Sequence, residues 1–286
     1  MGKIYKTLIC GGRISLTVLE TTDIVNTAIN YHKLSPVCAA ALGRTLTATA
    51  FMCSNLKGEN EKLSITINGG GWGGQIVTAG DGKMRVRGSI QNPRVDIPLK
   101  PDGKLNVGAV VGNNGYITVV KNLGLKEPYV GRCKLVSGEI AEDITAYYAY
   151  SEQQPTATAL GVLIGTDGNC LGAGGLVVQP LPDATDDDLT YAEKLIGNFA
   201  DVSKKINELG GEGLCKKYFA DCDFTAFDAK YECNCNKDYI DKVLLAMGEK
   251  ELRAALKEQG KIEVTCEFCD KKYVYDENAV NELLKQ

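Results

Sequence analysis

The sequence predicts an α+β protein in three parts: a β-rich α+β core domain over residues 1–180, a helical, metastable linker over 181–230, and a small C-terminal four-cysteine zinc-binding domain over 231–286. Three observations carry this. Residues 1–180 alternate short β-rich runs with two helical stretches, the pattern of helices packed on an antiparallel sheet. Pro180, Pro182 and the acidic run Asp186-Asp187-Asp188 then break the pattern before a strongly amphipathic stretch. Finally, Cys233, Cys235, Cys266 and Cys269 fall together in the last fifth of the chain.

Within the core, residues 62–68 alternate polar and apolar with Leu63, Ile65 and Ile67 on one face, and residues 84–90 do the same around Val86. Both read as half-buried antiparallel strands, punctuated by Gly69-Gly70-Gly71 and Asp81-Gly82. Residues 36–54 mix Ala39, Ala40, Ala41, Ala48 and Ala50 with Leu42 and Leu46, which predicts a buried helix lying close to the sheet. A second helix is expected from Ser137 as N-cap, with Glu139 in its first turn and Ile140, Ile144, Tyr147 and Tyr148 on one face, ending before Pro155. Strands return at 157–164 and 175–179.

Beyond the prolines, Ala192, Leu195, Ile196, Phe199, Val202, Ile206 and Leu209 form a helical stripe that Gly210-Gly211 should stop. Periodicity then fades over 213–231, which reads as a marginally stable connector with few contacts of its own. The last segment shows helices near 239–247 and 249–258, a hairpin near 266–275, and a final helix carrying Val280, Leu283 and Leu284. No internal repeat is apparent.

Composition narrows the function. A net charge of −4 and a sequence pI of about 5.3 argue against nucleic acid or an anionic membrane as the main partner. Residues 229–286 keep that balance, with ten Lys and Arg against twelve Asp and Glu. The start, Met1-Gly2-Lys3-Ile4-Tyr5-Lys6, runs into alternating sequence without an apolar secretory segment, and Lys6 stands where a myristoylation motif wants Ser or Thr. The expected location is therefore the reducing cytoplasm, where eleven cysteines are read as thiols rather than as a disulfide framework. Cys10, Cys38, Cys53, Cys133, Cys170, Cys215 and Cys222 are scattered in apolar or mixed surroundings, as inert buried thiols are. Cys215 and Cys222, in the connector, are additional candidates for oxidation.

The pattern Cys-X-Cys at 233–235, thirty intervening residues, and Cys-X-X-Cys at 266–269 gives two chelating pairs, which suits one tetrahedral zinc ion per chain. So short a module buries little apolar area, while zinc supplies about 10–16 kcal/mol in small finger peptides, so the metal is expected to hold it folded. If each pair instead closed on itself, the disulfide loops would be so short that each bridge would add only about 1.5–2 kcal/mol. An oxidant would then release zinc and leave the module, and the connector before it, disordered. The spacing makes a redox switch feasible.

With these motifs on view, the chain resembles the thirty-three kilodalton chaperonin family, the redox-regulated holdase chaperones of bacteria, over its whole length. Besides the cysteine pairs, Gly112-Asn113-Asn114-Gly115-Tyr116, Ser151-Glu152-Gln153-Gln154-Pro155-Thr156 and Gly174-Gly175-Leu176-Val177-Val178-Gln179 carry the likeness. The resemblance implies a reduced, zinc-bound inactive state. It implies an oxidised active state with Cys233 joined to Cys235 and Cys266 to Cys269, zinc lost, unfolding client proteins bound, and the chain dimeric.

Catalysis has little to work with. His32 is the only histidine, in a helical, tyrosine-flanked context that reads as structural. Gly69-Gly70-Gly71-Trp72-Gly73-Gly74 is followed by no Lys-Ser or Lys-Thr and reads as a hairpin turn, and residues 172–175 lack a dinucleotide-binding context. No nucleotide motif is visible, which fits an ATP-independent, non-enzymatic holder. Two alternatives stay open: a constitutive zinc-ribbon binding module, and a thiol oxidoreductase using Cys266 and Cys269.

Overall fold

The computed structural model describes residues 1–284, and the chain divides into two compact units, Met1–Glu232 and Cys233–Gln286. In the first unit the strands are β1 (Gly2–Ile9), β2 (Ile14–Glu20), β3 (Lys62–Asn68), β4 (Ile76–Asp81), β5 (Arg85–Ile90), β6 (Tyr116–Asn122), β7 (Tyr129–Lys134), β8 (Ala157–Ile164), β9 (Cys170–Pro180) and β10 (Thr225–Tyr231). They form one ten-stranded sheet in the order β7-β6-β3-β4-β5-β10-β1-β2-β9-β8. Neighbours run antiparallel except β10 and β5, which meet in a short parallel pairing at Lys230↔Arg85 and Tyr231↔Val86.

The helices of this unit are α1 (Thr22–His32), α2 (Pro36–Cys53), α3 (Val107–Val111), α4 (Ala141–Tyr147), α5 (Asp186–Gly197) and α6 (Val202–Tyr218). α2 is the central one. Ser35 caps it by accepting from the Cys38 amide, Pro36 opens it, and its small residues let it sink into the sheet, where a Cβ on Gly43 would stand 2.9 Å from Val162. Thr45, Thr47 and Thr49, all buried, donate to carbonyls one turn back at 2.8–2.9 Å, so no hydroxyl there is left unsatisfied. This helix is long and apolar enough to cross a membrane, but 89% of it lies buried in the core.

β1, β2 and β9 bury both faces. Ile4 and Leu19 join the main core with α1 and α2. Tyr5, Leu16, Val18, Leu176 and Val178 face the other way, against Ala192, Leu195, Phe199, Val202 and Ile206 of the α5–α6 region. The expected apolar stripe is therefore the surface by which these helices dock on the sheet.

Three expectations change. The stripe is two helices rather than one, broken at 198–201, and Gly210 does not end the second. With φ 66° and ψ 174° it kinks the chain, Glu20 accepts from the Gly211 amide at 2.8 Å, and α6 resumes to Tyr218. Residues 213–231 are not a connector with few contacts, because they contain the end of α6 and all of β10, which pairs with β1 from Gly2↔Ala229 to Lys6↔Thr225. Ser137 does not cap α4. Asp143, inside the first turn, reaches back to accept from the amides of Val136, Ser137, Gly138 and Ile140 at 2.7–3.3 Å, and the helix begins only at Ala141. Glu139 stays outside it, bonded to Arg44, Lys100 and the Gly108 amide. Ile140, Ile144, Tyr147 and Tyr148 are buried as expected, and a wider turn over Tyr148–Glu152 ends the run before Pro155.

The glycine cluster joins antiparallel β3 and β4 and packs on α3, with the amides of Gly71 and Gly73 donating to Val111 and Val110. His32, at the end of α1, is buried with its Nε2 3.0 Å from the Gly88 carbonyl oxygen.

The second unit holds α7 (Lys237–Met247), α8 (Glu249–Gln259), the hairpin β11 (Ile262–Thr265) and β12 (Lys272–Tyr275), and α9 (Glu277–Leu283). Its core consists of Ile240, Leu244, Leu252, Tyr273, Tyr275, Val280 and Leu283.

Candidate metal centre

The site is assembled from two turns. Cys233 and Cys235 lie on the extended segment before α7, and Asn236, the next residue, caps that helix by accepting from the Tyr239 amide at 2.8 Å. The second pair sits at the tip of the β11–β12 hairpin. There the Cys266 amide donates to the Lys271 carbonyl and the Asp270 amide to the Cys266 carbonyl, both at 2.9 Å, while Asp270 takes a left-handed φ of 55°. This tight knuckle turns both sulfurs of Cys-X-X-Cys to one side.

All four sequence-predicted cysteines come together. Their sulfurs lie within 4.8 Å of one another, and each residue is half-buried. Between the pairs, Cys233 and Cys266 approach to 3.6 Å and Cys235 and Cys269 to 3.4 Å. Four sulfurs held at ~2.3 Å from a central ion in a tetrahedron would stand ~3.8 Å apart, so the arrangement suits one metal ion. A disulfide needs a sulfur separation of ~2.05 Å, well short of any of these.

The surroundings set the thiol chemistry. Burial pushes Cys233 well above the ordinary thiol value and Cys269 up to about 11. At Cys235 burial acts in the same sense, but hydrogen bonds from Tyr273 and the neighbouring thiols outweigh it and its pKa falls. The Tyr273 hydroxyl donates to the Cys235 sulfur at 3.3 Å, a contact the spacing of cysteines gives no hint of. Binding a metal through all four thiolates expels their protons. Cys38, Cys53, Cys133, Cys170 and Cys215 are buried elsewhere in the chain, and Cys10 and Cys222 half-buried.

A β-rich α+β unit carrying helices on its sheet, followed by a small unit built round four clustered thiols, defines a class of two-unit, thiol-rich proteins. The Hsp33 protein family model matches residues 2–276. The chain is 41% identical over 268 residues to the 33 kDa chaperonin of Caldanaerobacter subterraneus subsp. tengcongensis, covering 92% of this chain and 91% of the relative. It is 37% identical over 291 residues to that of Clostridium acetobutylicum, covering 99% and 97%. The crystal structure of the 33 kDa chaperonin, a heat shock protein 33 homologue, from Thermotoga maritima superposes with a TM-score of 0.90 at 35% identity, over 99% of this chain and 97% of that one. The chain belongs to the Hsp33 family, and with it to the chaperones.

Proposed function

We propose that the protein is an ATP-independent, non-enzymatic holdase of the cytoplasm that binds unfolding proteins during oxidative and heat stress and is switched on by oxidation of its C-terminal thiols. The observation that carries this reading is the meeting of four half-buried thiols within 4.8 Å in a unit with seven buried apolar residues among those described. Such a unit depends on its metal for folding, so whatever removes the metal unfolds it.

Zinc is the ion that four thiolates in tetrahedral array hold best in a cell. In the proposed cycle Cys233, Cys235, Cys266 and Cys269 bind one zinc in the reduced chain. Peroxide then joins Cys233 to Cys235 and Cys266 to Cys269. A thiolate taken into a disulfide no longer serves as a metal ligand, so this pairing requires the metal to leave. Loss of zinc unfolds residues 231–286 and loosens the linker, 181–230. The apolar residues of α5 and α6, with the sheet face beneath them, become available to clients, and oxidised chains pair as homodimers.

The test follows zinc release and thermal aggregation of an unrelated protein in parallel, with reduced chain and with chain treated with peroxide at raised temperature. About one zinc should leave per chain, with aggregation suppressed only afterwards. Zinc retained through oxidation, or lost without gain in holding, would favour a constitutive zinc-binding module instead.

A further inference from the structure

Two cysteines outside the four-thiol site are half-buried rather than buried, Cys10 and Cys222. They are remote in sequence, yet both pack against one hydrophobic cluster beside the end of the β1–β10 ladder. β10 runs antiparallel to β1, with Gly2 facing Ala229 and Lys6 facing Thr225. The ladder ends at that pair, so the segment just before β10, which holds Cys222, leaves the sheet at the same end as the last residues of β1, which lead into Cys10. Both thiols pack against the same cluster, which includes Tyr5, Ile9 and Phe219.

The local backbone favours the encounter. Cys10 begins the tight turn between β1 and β2 with a φ of 53°, and the Cys222 amide donates to the Phe219 carbonyl at 3.1 Å, holding that segment in a turn of its own. Cys222 also lines a cavity of about 530 Å³ between α6 and the first strands, with Tyr5, Cys215 and Phe224 on its walls. A small oxidant can enter there.

We propose that Cys10 and Cys222 are a second oxidisable thiol pair, whose disulfide staples the β1–β2 turn to the segment leading from α6 into β10. The balance is simple. Cys222 sulfur, as thiolate, attacks one oxygen of hydrogen peroxide; the O–O bond breaks, giving a sulfenic acid and hydroxide, which takes up the proton the thiol released. Cys10 sulfur then attacks the sulfenyl sulfur, the S–S bond forms, and the hydroxyl leaves with the Cys10 proton as water. Two thiols and one peroxide become one disulfide and two waters.

The staple has a direction. It fixes residue 222 to the sheet, so any loosening of α5 and α6 stops short of it and β10 keeps its place. That consequence rests on the proposed switch; formation of the bond does not.

The experiment oxidises full-length, zinc-loaded chain with hydrogen peroxide, blocks remaining thiols with an alkylating agent, digests with trypsin without reductant and reads peptide masses. Cys10, Cys215 and Cys222 fall in separate peptides, 7–13, 206–216 and 218–230, and the C-terminal thiols in 231–237 and 262–271. Peptides 7–13 and 218–230 should appear joined, lighter by two hydrogens than their sum. The joined species should vanish on reduction, be absent from Cys10→Ser and Cys222→Ser, and persist in Cys215→Ser. If both thiols remain fully alkylated after the four C-terminal thiols have reacted, or if 218–230 joins 206–216, the proposal is overturned. The same digest reads the C-terminal peptides, so failure of the zinc switch registers separately.

Discussion

The Tyr273 hydroxyl and the Cys235 sulfur are 3.3 Å apart, and the tyrosine donates. Tyr273 is buried in the small core of the second unit, so its ring packs while its hydroxyl orients a thiolate. Tyr273→Phe keeps the packing and removes the donor. Groups that orient metal ligands are worth about 10- to 100-fold in affinity. Zinc affinity, measured by competition with a chromophoric chelator, should fall by about tenfold while the fold of the zinc-loaded chain is retained. An unchanged affinity would mean the contact is incidental.

Chelation should separate the two units. With the metal stripped under reducing conditions, backbone amides between residues 233 and 284 should lose protection from hydrogen exchange, whereas those of β1–β4 and α2 should keep theirs, because the first unit has its own extensive core. Protection retained in α7 and α9 after complete zinc removal would show that the small core suffices alone.

α5 is pinned at its first turn by Arg13, whose Nε and Nη2 meet the two oxygens of Asp188 at 2.6 and 3.0 Å. Asp188 also closes a capping box with Thr185. The Arg13 guanidinium, with help from Thr185, holds the Asp188 carboxyl well below the usual carboxylate range. A depressed folded pKa favours the folded chain only while the carboxylate is ionised. The anchor is therefore complete above about pH 4, the ordinary carboxylate value, and is lost as pH falls from there toward the lower folded value. Arg13→Ala should raise hydrogen exchange in α5 at neutral pH and flatten its acid dependence. Equal exchange in both proteins across that range would remove the anchor from the account.

Gly69 tests whether the glycine cluster serves packing. A Cβ there would stand 2.1 Å from the Gly112 carbonyl oxygen, backbone against backbone. Gly69→Ala should lower stability by about 1–3 kcal/mol, read as a shift of the denaturation midpoint of the first unit. A neutral substitution would mean that this loop yields easily.

Much of this architecture is legible in the residues. α2 announces itself by small and apolar residues on every side, and β3 by the alternation of Leu63, Ile65 and Ile67. The four-thiol cluster follows from two closely spaced pairs, each able to offer two ligands to one ion. β10 was hidden because its side chains are mostly exposed and lack alternation; backbone pairing with β1 and β5 places it. α6 passes through Gly210 because Glu20, distant in sequence, receives the Gly211 amide. The start of α4 depends on one carboxylate, Asp143, collecting four amides, which a cap rule based on Ser137 does not see. For β10 and α6 the deciding partner is distant in sequence, whereas for α4 it lies within the same turn and only its side-chain direction is not legible.

β10 also bears on how the chain is made. It is the last strand of the large sheet to be synthesised, yet it lies between β5 and β1 and joins the group β7-β6-β3-β4-β5 to the group β1-β2-β9-β8. A nascent chain emerging from the ribosome can assemble each group early, but the seam stays open until residue 231 has cleared the exit tunnel. Until then the edges of β1 and β5 are bare, and the newborn chaperone is itself a chain in need of protection.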